Sequence, residues 1–70
     1  MFPLTVADVN VPYIVRRVGG SPEAKKHLEN LGFVVGGEVT VISTIGGNLI
    51  VRVKESRVAV SKEMAQKIMI

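Results

Sequence analysis

The hydrophobic and polar positions of this sequence change their period along the chain. Between residues 21 and 32, apolar side chains recur at Ala24, Leu28 and Leu31, which is the spacing of one face of an α-helix. From Leu49 to Lys54, apolar and polar residues alternate, as they do in a half-buried strand with one solvated face. The pattern therefore predicts a mainly β chain with one inserted helix.

Both ends of the predicted helix carry residues that helix termini favour. Ser21 suits the N-cap, and Pro22 suits the first helical position. At the other end, Gly32 can adopt the left-handed conformation that closes a helix, and Phe33 would then pack against Leu28 in a Schellman ending. These local signals predict a helix over Ser21–Gly32.

Short apolar runs on both sides of the helix predict strands. Tyr13–Val18 is the first run, and its Arg16 and Arg17 are expected on opposite faces of one strand. After the helix come a β-rich run over Glu38–Ile45, a hairpin turn at Gly46-Gly47-Asn48, the alternating strand from Leu49, a tight connection at Glu55-Ser56, a strand over Arg57–Val60, a helical turn capped by Ser61, and a closing strand over Ile68–Ile70.

About five short strands in a chain of 70 residues favour a closed arrangement. Open strand edges invite aggregation, and a barrel removes most of them. The simplest architecture that fits is a single domain over residues 1–70. It is a small SH3-like β-barrel with one long helix between the first and second core strands and a short helical turn near the C-terminus.

The composition leaves little chemistry for catalysis or metal binding. The chain is 47% hydrophobic and has no cysteine, which excludes disulfides, thiolate metal sites and cysteine nucleophiles. The single histidine, His27, lies one predicted helical turn after Glu23, and a solvated surface pair is favoured there over a catalytic dyad. The six acidic residues are scattered singly. We expect a binding module with no cofactor and no metal site, not an enzyme.

The net charge of +3 permits contact with an acidic partner or with nucleic acid. Arg52, Lys54 and Arg57 could cluster around one hairpin, so a nucleic-acid-binding SH3-like or KOW-type barrel is an alternative. No aromatic residue lies among these strands to stack on bases, and nucleic acid is therefore not the expected partner. No apolar run reaches the roughly 18 residues of a membrane span, and the start lacks a basic signal-peptide segment. A cytoplasmic location is expected.

A module without catalytic groups acts through an exposed surface, and two places could supply it. One is the loop after the helix, where one of two adjacent valines is expected at the surface. The other is the outer face of the alternating strand, where an isoleucine shares its side with two basic residues. The alternative is that these residues close the barrel ends or mediate weak self-association. The candidate docking residues are Val34, Val35, Ile50, Arg52 and Lys54.

In the order of these features the chain resembles the FeoA family, ferrous iron transport protein A, over essentially its whole length. The most recognisable stretch is Leu28–Phe33 followed by Gly36. Thr5–Val9 is similar to the family's opening segment, and Ala65–Ile70 is similar to its closing Ala-x-x-Ile-x-Val. Asn10 lies where a glycine is usual, and asparagine can take the same left-handed turn.

The resemblance implies an SH3-like cytoplasmic protein that supports ferrous iron uptake. Its implied partner is FeoB, a membrane transporter with a cytoplasmic GTP-binding domain, and its implied mechanism is regulation by docking. The same barrel also forms the C-terminal domain of iron-dependent repressors. A free-standing relative of that domain is the less expected alternative, because no DNA-binding helix-turn-helix precedes Met1 in this sequence.

Overall fold

Six strands, two α-helices and one 3-10 turn make up the computed structural model, which describes residues 1–70. In chain order they are the 3-10 turn Leu4–Val6, β1 Pro12–Ile14, β2 Arg17–Val18, α1 Pro22–Leu31, β3 Glu38–Ile45, β4 Asn48–Val53, β5 Ser56–Ser61, α2 Lys62–Ala65 and β6 Ile68–Met69. The prediction of a mainly β chain with one inserted helix and a helical turn near the C-terminus is confirmed, with six strands in place of about five.

The strands form two antiparallel sheets. One has four strands in the order β1-β3-β4-β5, and the other has two, β2 and β6. The N-terminal segment extends the smaller sheet, because Pro3 bridges to Met69. Phe2 and Ile70 also exchange backbone hydrogen bonds of 3.2 and 2.9 Å. The two ends of the chain therefore lie side by side and help to close the barrel.

The predicted single strand over Tyr13–Val18 is wrong, because the chain bends within it. The Val15 N–H donates to the carbonyl of Gly37, next to β3, at 2.8 Å. The Arg16 N–H donates instead to the carbonyl of Met69 on β6, also at 2.8 Å. A segment that changes sheets in this way forms a corner of a small barrel, and it is therefore divided into β1 and β2.

Both hairpin turns end one residue earlier than the sequence pattern predicts. Gly46-Gly47 joins β3 to β4, and Asn48 already pairs as the first residue of β4. Lys54-Glu55 joins β4 to β5, so Ser56 begins β5 and does not lie in the turn. Each loop has two residues, which is a common connection between antiparallel strands.

The N-terminal ends of both α-helices are capped by serine, as predicted. The Ser21 Oγ accepts a hydrogen bond from the Ala24 N–H at 3.2 Å. The Ser61 Oγ accepts one from the Met64 N–H at 3.2 Å. Each cap satisfies a backbone donor that has no partner within its helix.

The C-terminal end of α1 has the predicted Schellman geometry. Gly32 has a φ of 113°, in the left-handed region. Its N–H donates to the Glu29 carbonyl, and the Phe33 N–H donates to the Leu28 carbonyl, both at 3.0 Å. These two bonds define the motif, and they turn Phe33 into the core, where both it and Leu28 are fully buried.

A core of fourteen hydrophobic side chains lies between the two sheets and beneath α1. Phe33 is its only aromatic member. The remaining members are Leu4, Val15, Val18, Leu28, Val39, Val41, Leu49, Val51, Val53, Val60, Ala65, Ile68 and Ile70. Most of these side chains are β-branched residues or leucines, which suit the inward face of a pleated strand.

We predict that Gly32→Val lowers the free energy of unfolding by about 2 kcal/mol or more, because a β-branched residue is strained at positive φ. A Cβ at this position would also lie 3.2 Å from Cγ2 of Val53. Gly47→Val is the matched control, because Gly47 lies outside the left-handed region and a Cβ added there would meet no atom within 4 Å. Urea denaturation measures both variants, and equal losses would contradict the prediction.

Candidate functional site

The outer face of the four-stranded sheet presents a pair of arginine side chains. Alternate residues of β4, from Leu49 to Val53, are buried, so Ile50 and Arg52 point outward. The strand register places Arg52 opposite Thr40 on β3 and opposite Arg57 on β5. Two arginines directly opposite each other are mutually repulsive, and an anionic group bound nearby would offset that repulsion.

Ile50 forms the apolar part of this outer face. It pairs with Ser43 on one side and with Ala59 on the other, and it is half-buried. Its two small neighbours leave part of the isoleucine side chain open to a partner. The structure thus puts Ile50 and Arg52 on one face, as predicted.

Lys54 lies in the β4–β5 turn and not on the strand, so its predicted strand position is wrong. Its φ is 56°, in the left-handed region, because the two-residue hairpin reverses the chain at this residue. Lys54 nevertheless comes together with Arg52 at a shallow cavity of about 130 Å³. The cavity is lined by Gly32, Gly37, Glu38, Thr40, Arg52 and Lys54.

The two candidate valines lie in the loop between α1 and β3. Val35 is 67% exposed, whereas Val34 is half-buried, so one valine of the pair lies mostly in solvent. Neither valine lines the cavity of Arg52 and Lys54, although Gly37 of the same loop does. The five candidate residues therefore occupy two adjoining places and not one compact patch.

A further apolar groove was missed by the sequence pattern. It has a volume of about 520 Å³ and runs beside β1; we call it the β1 groove. Phe2 and Tyr13 meet there edge to face, with ring centroids 6.3 Å apart. The Tyr13 hydroxyl accepts a hydrogen bond from the Asp8 N–H at 3.1 Å, which holds the ring in place. The groove is lined by Met1, Phe2, Pro12, Tyr13, Ile14, Arg16 and Ile70.

Arg16 and Arg17 were predicted on opposite faces of one strand, but the chain bends there, and the two side chains line different cavities. Arg16 lines the β1 groove. Arg17 lines a second cavity, together with Lys67. The β1 groove could not be found from sequence because it forms where the chain ends meet β1, and no local spacing records that pairing.

The titratable side chains do not assemble into a metal centre. No three of the histidine and acidic side chains come together, and His27 is exposed on α1. That the chain holds no metal or cofactor remains a prediction. Neither α-helix has the length and apolar character needed to cross a membrane.

The comparison with protein families identifies one model. Residues 2–70 match the model of the FeoA domain. A protein of Methanocaldococcus jannaschii whose name assigns it to Fe(2+) transport is 30% identical over 70 residues. The match covers 100% of this chain and 85% of the relative.

Solved structures of FeoA proteins share the fold. An iron uptake regulatory protein, FeoA, has a TM-score of 0.86 at 24% identity, over 94% of this chain and 89% of that one. FeoA of Stenotrophomonas maltophilia, solved with zinc and described as an SH3 domain protein, has a TM-score of 0.85 at 24% identity, over 99% and 88%. Iron(II) transport protein A of Clostridium thermocellum has a TM-score of 0.89 at 23% identity, over 96% and 43%. The predicted SH3-like barrel is confirmed.

We predict that Lys54→Gly leaves the fold intact and raises the free energy of unfolding by about 0.5 kcal/mol, because glycine adopts a positive φ without steric cost. Glycine also has more conformational freedom than lysine in the unfolded chain, which offsets part of the gain in stability. Lys62→Gly, at the first position of α2, is the control and should lower stability. Thermal unfolding measures both, and a clear loss in Lys54→Gly would contradict the left-handed assignment.

Proposed function

This chain belongs to the FeoA family, and we propose that it is a small cytoplasmic accessory protein of ferrous iron uptake that docks onto a FeoB-type membrane transporter. The observation that carries the proposal is the family match over residues 2–70. It is supported by the relative in Methanocaldococcus jannaschii that is named for Fe(2+) transport. The chain acts in this proposal by binding, with no catalytic step of its own.

The outer face of β4 is the proposed centre of the docking surface. Ile50 supplies an apolar contact, and Arg52 lies two residues further along the same face. An acidic partner surface would relieve the repulsion between Arg52 and Arg57, which face each other across β4 and β5. Opposite charges also accelerate encounter, and the net charge of +3 acts in the same direction.

The loop after α1 forms the second part of the proposed surface. Val35 is 67% exposed, and such an apolar side chain gains most from burial against a partner. Lys54 borders the same cavity as Gly37 of this loop. Val34 is included as a supporting neighbour, because it lies next to Val35 in the loop and is half-buried.

We predict that Arg52→Glu and Val35→Asp each weaken binding to the cytoplasmic part of the transporter by about tenfold, which is about 1.4 kcal/mol. Ile50→Asp is the third variant and is expected to weaken binding in the same way. Ile45→Asp is its matched control and is expected to leave binding unchanged. Ile45 is 65% exposed at the end of β3, away from the Arg52–Lys54 cavity. Isothermal titration calorimetry measures the affinities, and circular dichroism checks that each variant is folded.

The outcomes separate the proposed surface from the proposed function. If all folded variants bind as tightly as the parent, the docking surface lies elsewhere and the function stands. If the parent chain does not bind the transporter, the docking function is wrong. Tight, strongly salt-dependent binding to generic RNA or DNA that is lost in Arg52→Ala and Lys54→Ala would favour the nucleic-acid alternative.

A further inference from the structure

The edge of β1 that faces away from β3 has unpaired backbone groups. Along an antiparallel strand, successive residues direct their N–H and C=O groups to opposite sides. The Val15 N–H donates to Gly37, and the Val15 carbonyl accepts from Gly36, both at 2.8 Å. Ile14, the residue before it, therefore directs its own N–H and C=O to the opposite, open side.

This open edge lies in line with the end of β6. The Arg16 N–H donates to the carbonyl of Met69 on β6, and Ile70 directly follows β6. On its other side, Ile70 is bonded to Phe2. A strand that continued the line of β6 would therefore run between the Ile14 edge and the N-terminal residues, along the β1 groove.

The side chains that line the groove are mostly apolar. Phe2 and Ile14 are 45% and 47% exposed, and Met1 is 74% exposed, so much apolar surface is left uncovered. Arg16 is the only residue with a charged side chain among the seven that line the groove. An extended apolar segment that carries a negative charge would complement this lining.

We infer that the β1 groove binds an extended, carboxylate-bearing apolar segment of the partner, which adds to the free edge of β1 as an antiparallel strand. The inference rests on the proposed docking to the transporter, and it adds a second contact to the surface around Arg52. Backbone hydrogen bonds to Ile14 supply part of the affinity, as in other cases of strand addition. The apolar lining and Arg16 select the side chains.

Charge favours such a partner over a second copy of this chain. Each copy carries a net charge of +3 and has Arg16 beside its own open edge, so two β1 edges would bring like charges together. An acidic segment instead gives Arg16 a carboxylate at the rim of an apolar groove, where the pair is partly shielded from water.

The first test removes the Ile14 backbone donor. Ile14→Pro is compatible with the fold because proline is tolerated where the strand N–H faces outward at an edge. Ile14→Val is the matched control, since it keeps the N–H and a β-branched side chain. We expect Ile14→Pro to weaken binding to the cytoplasmic part of the transporter by about tenfold and Ile14→Val to change it by less than about twofold.

The second test uses the neighbouring arginines as a matched pair. Arg16 lines the β1 groove, whereas Arg17 lines the separate cavity that also contains Lys67. Arg16→Glu is expected to weaken binding by about fivefold or more, and Arg17→Glu by less than about twofold. Equal effects would show that only the overall charge matters, and this would overturn the assignment to the groove.

Amide hydrogen exchange locates the contact directly. With the cytoplasmic part of the transporter bound, the Ile14 amide is expected to exchange more slowly. The amide of Ile45, which does not line the groove, serves as the reference. Binding that does not protect the Ile14 amide from exchange would contradict the assignment of the contact to the β1 groove, but it would not contradict the docking function. If the parent chain does not bind the cytoplasmic part of the transporter, both proposals are wrong. Protection that appears in the chain alone as its concentration rises would identify a second copy as the occupant and contradict the inference.

Discussion

The divergence of backbone hydrogen bonds at Val15 and Arg16 is the constraint on which this fold depends. One residue bonds to the β3 side of the larger sheet, and the next bonds to β6 in the smaller sheet. The corner joins the two sheets around a core that includes Val15 itself, which is 1% exposed. Without it, the smaller sheet of only two short strands would have no packed face, since isolated two-stranded sheets are marginally stable.

The same corner shapes the surfaces that are available for binding. Hydrogen bonding to β6 begins only at Arg16, after the bend, so the outer edge of β1 at Ile14 is unpaired. Residues from both ends of the chain form the other wall of the β1 groove. The hairpin of β4 and β5 presents a different surface, with Arg52 and Arg57 side by side. In a barrel this small the inward side chains form the core, so the proposed binding surfaces consist of a strand edge and the solvated face of a strand that buries its alternate residues.

The candidate site was partly predictable. Alternation along β4 correctly put Ile50 and Arg52 on one outward face, because a period of two depends only on the strand itself. Lys54 was assigned to the strand by the same alternation, but the two-residue turn begins at that residue. The inward turn of Phe33 predicted that either Val34 or Val35 would lie at the surface, and the structure shows that it is Val35. The groove at Ile14 was not found, because residues from both ends of the chain form it.

What the sequence determined by itself is local. The capped helix over Pro22–Leu31, with its left-handed Gly32, follows from residues within one or two turns of each other, and so do the positions of the hairpins to within one residue. The tertiary structure alone decided the division of Tyr13–Val18 between two sheets and the pairing of Phe2 with Ile70. Those features depend on closing the barrel around a shared core, and the hydrogen bonds that close it join residues that no local pattern relates.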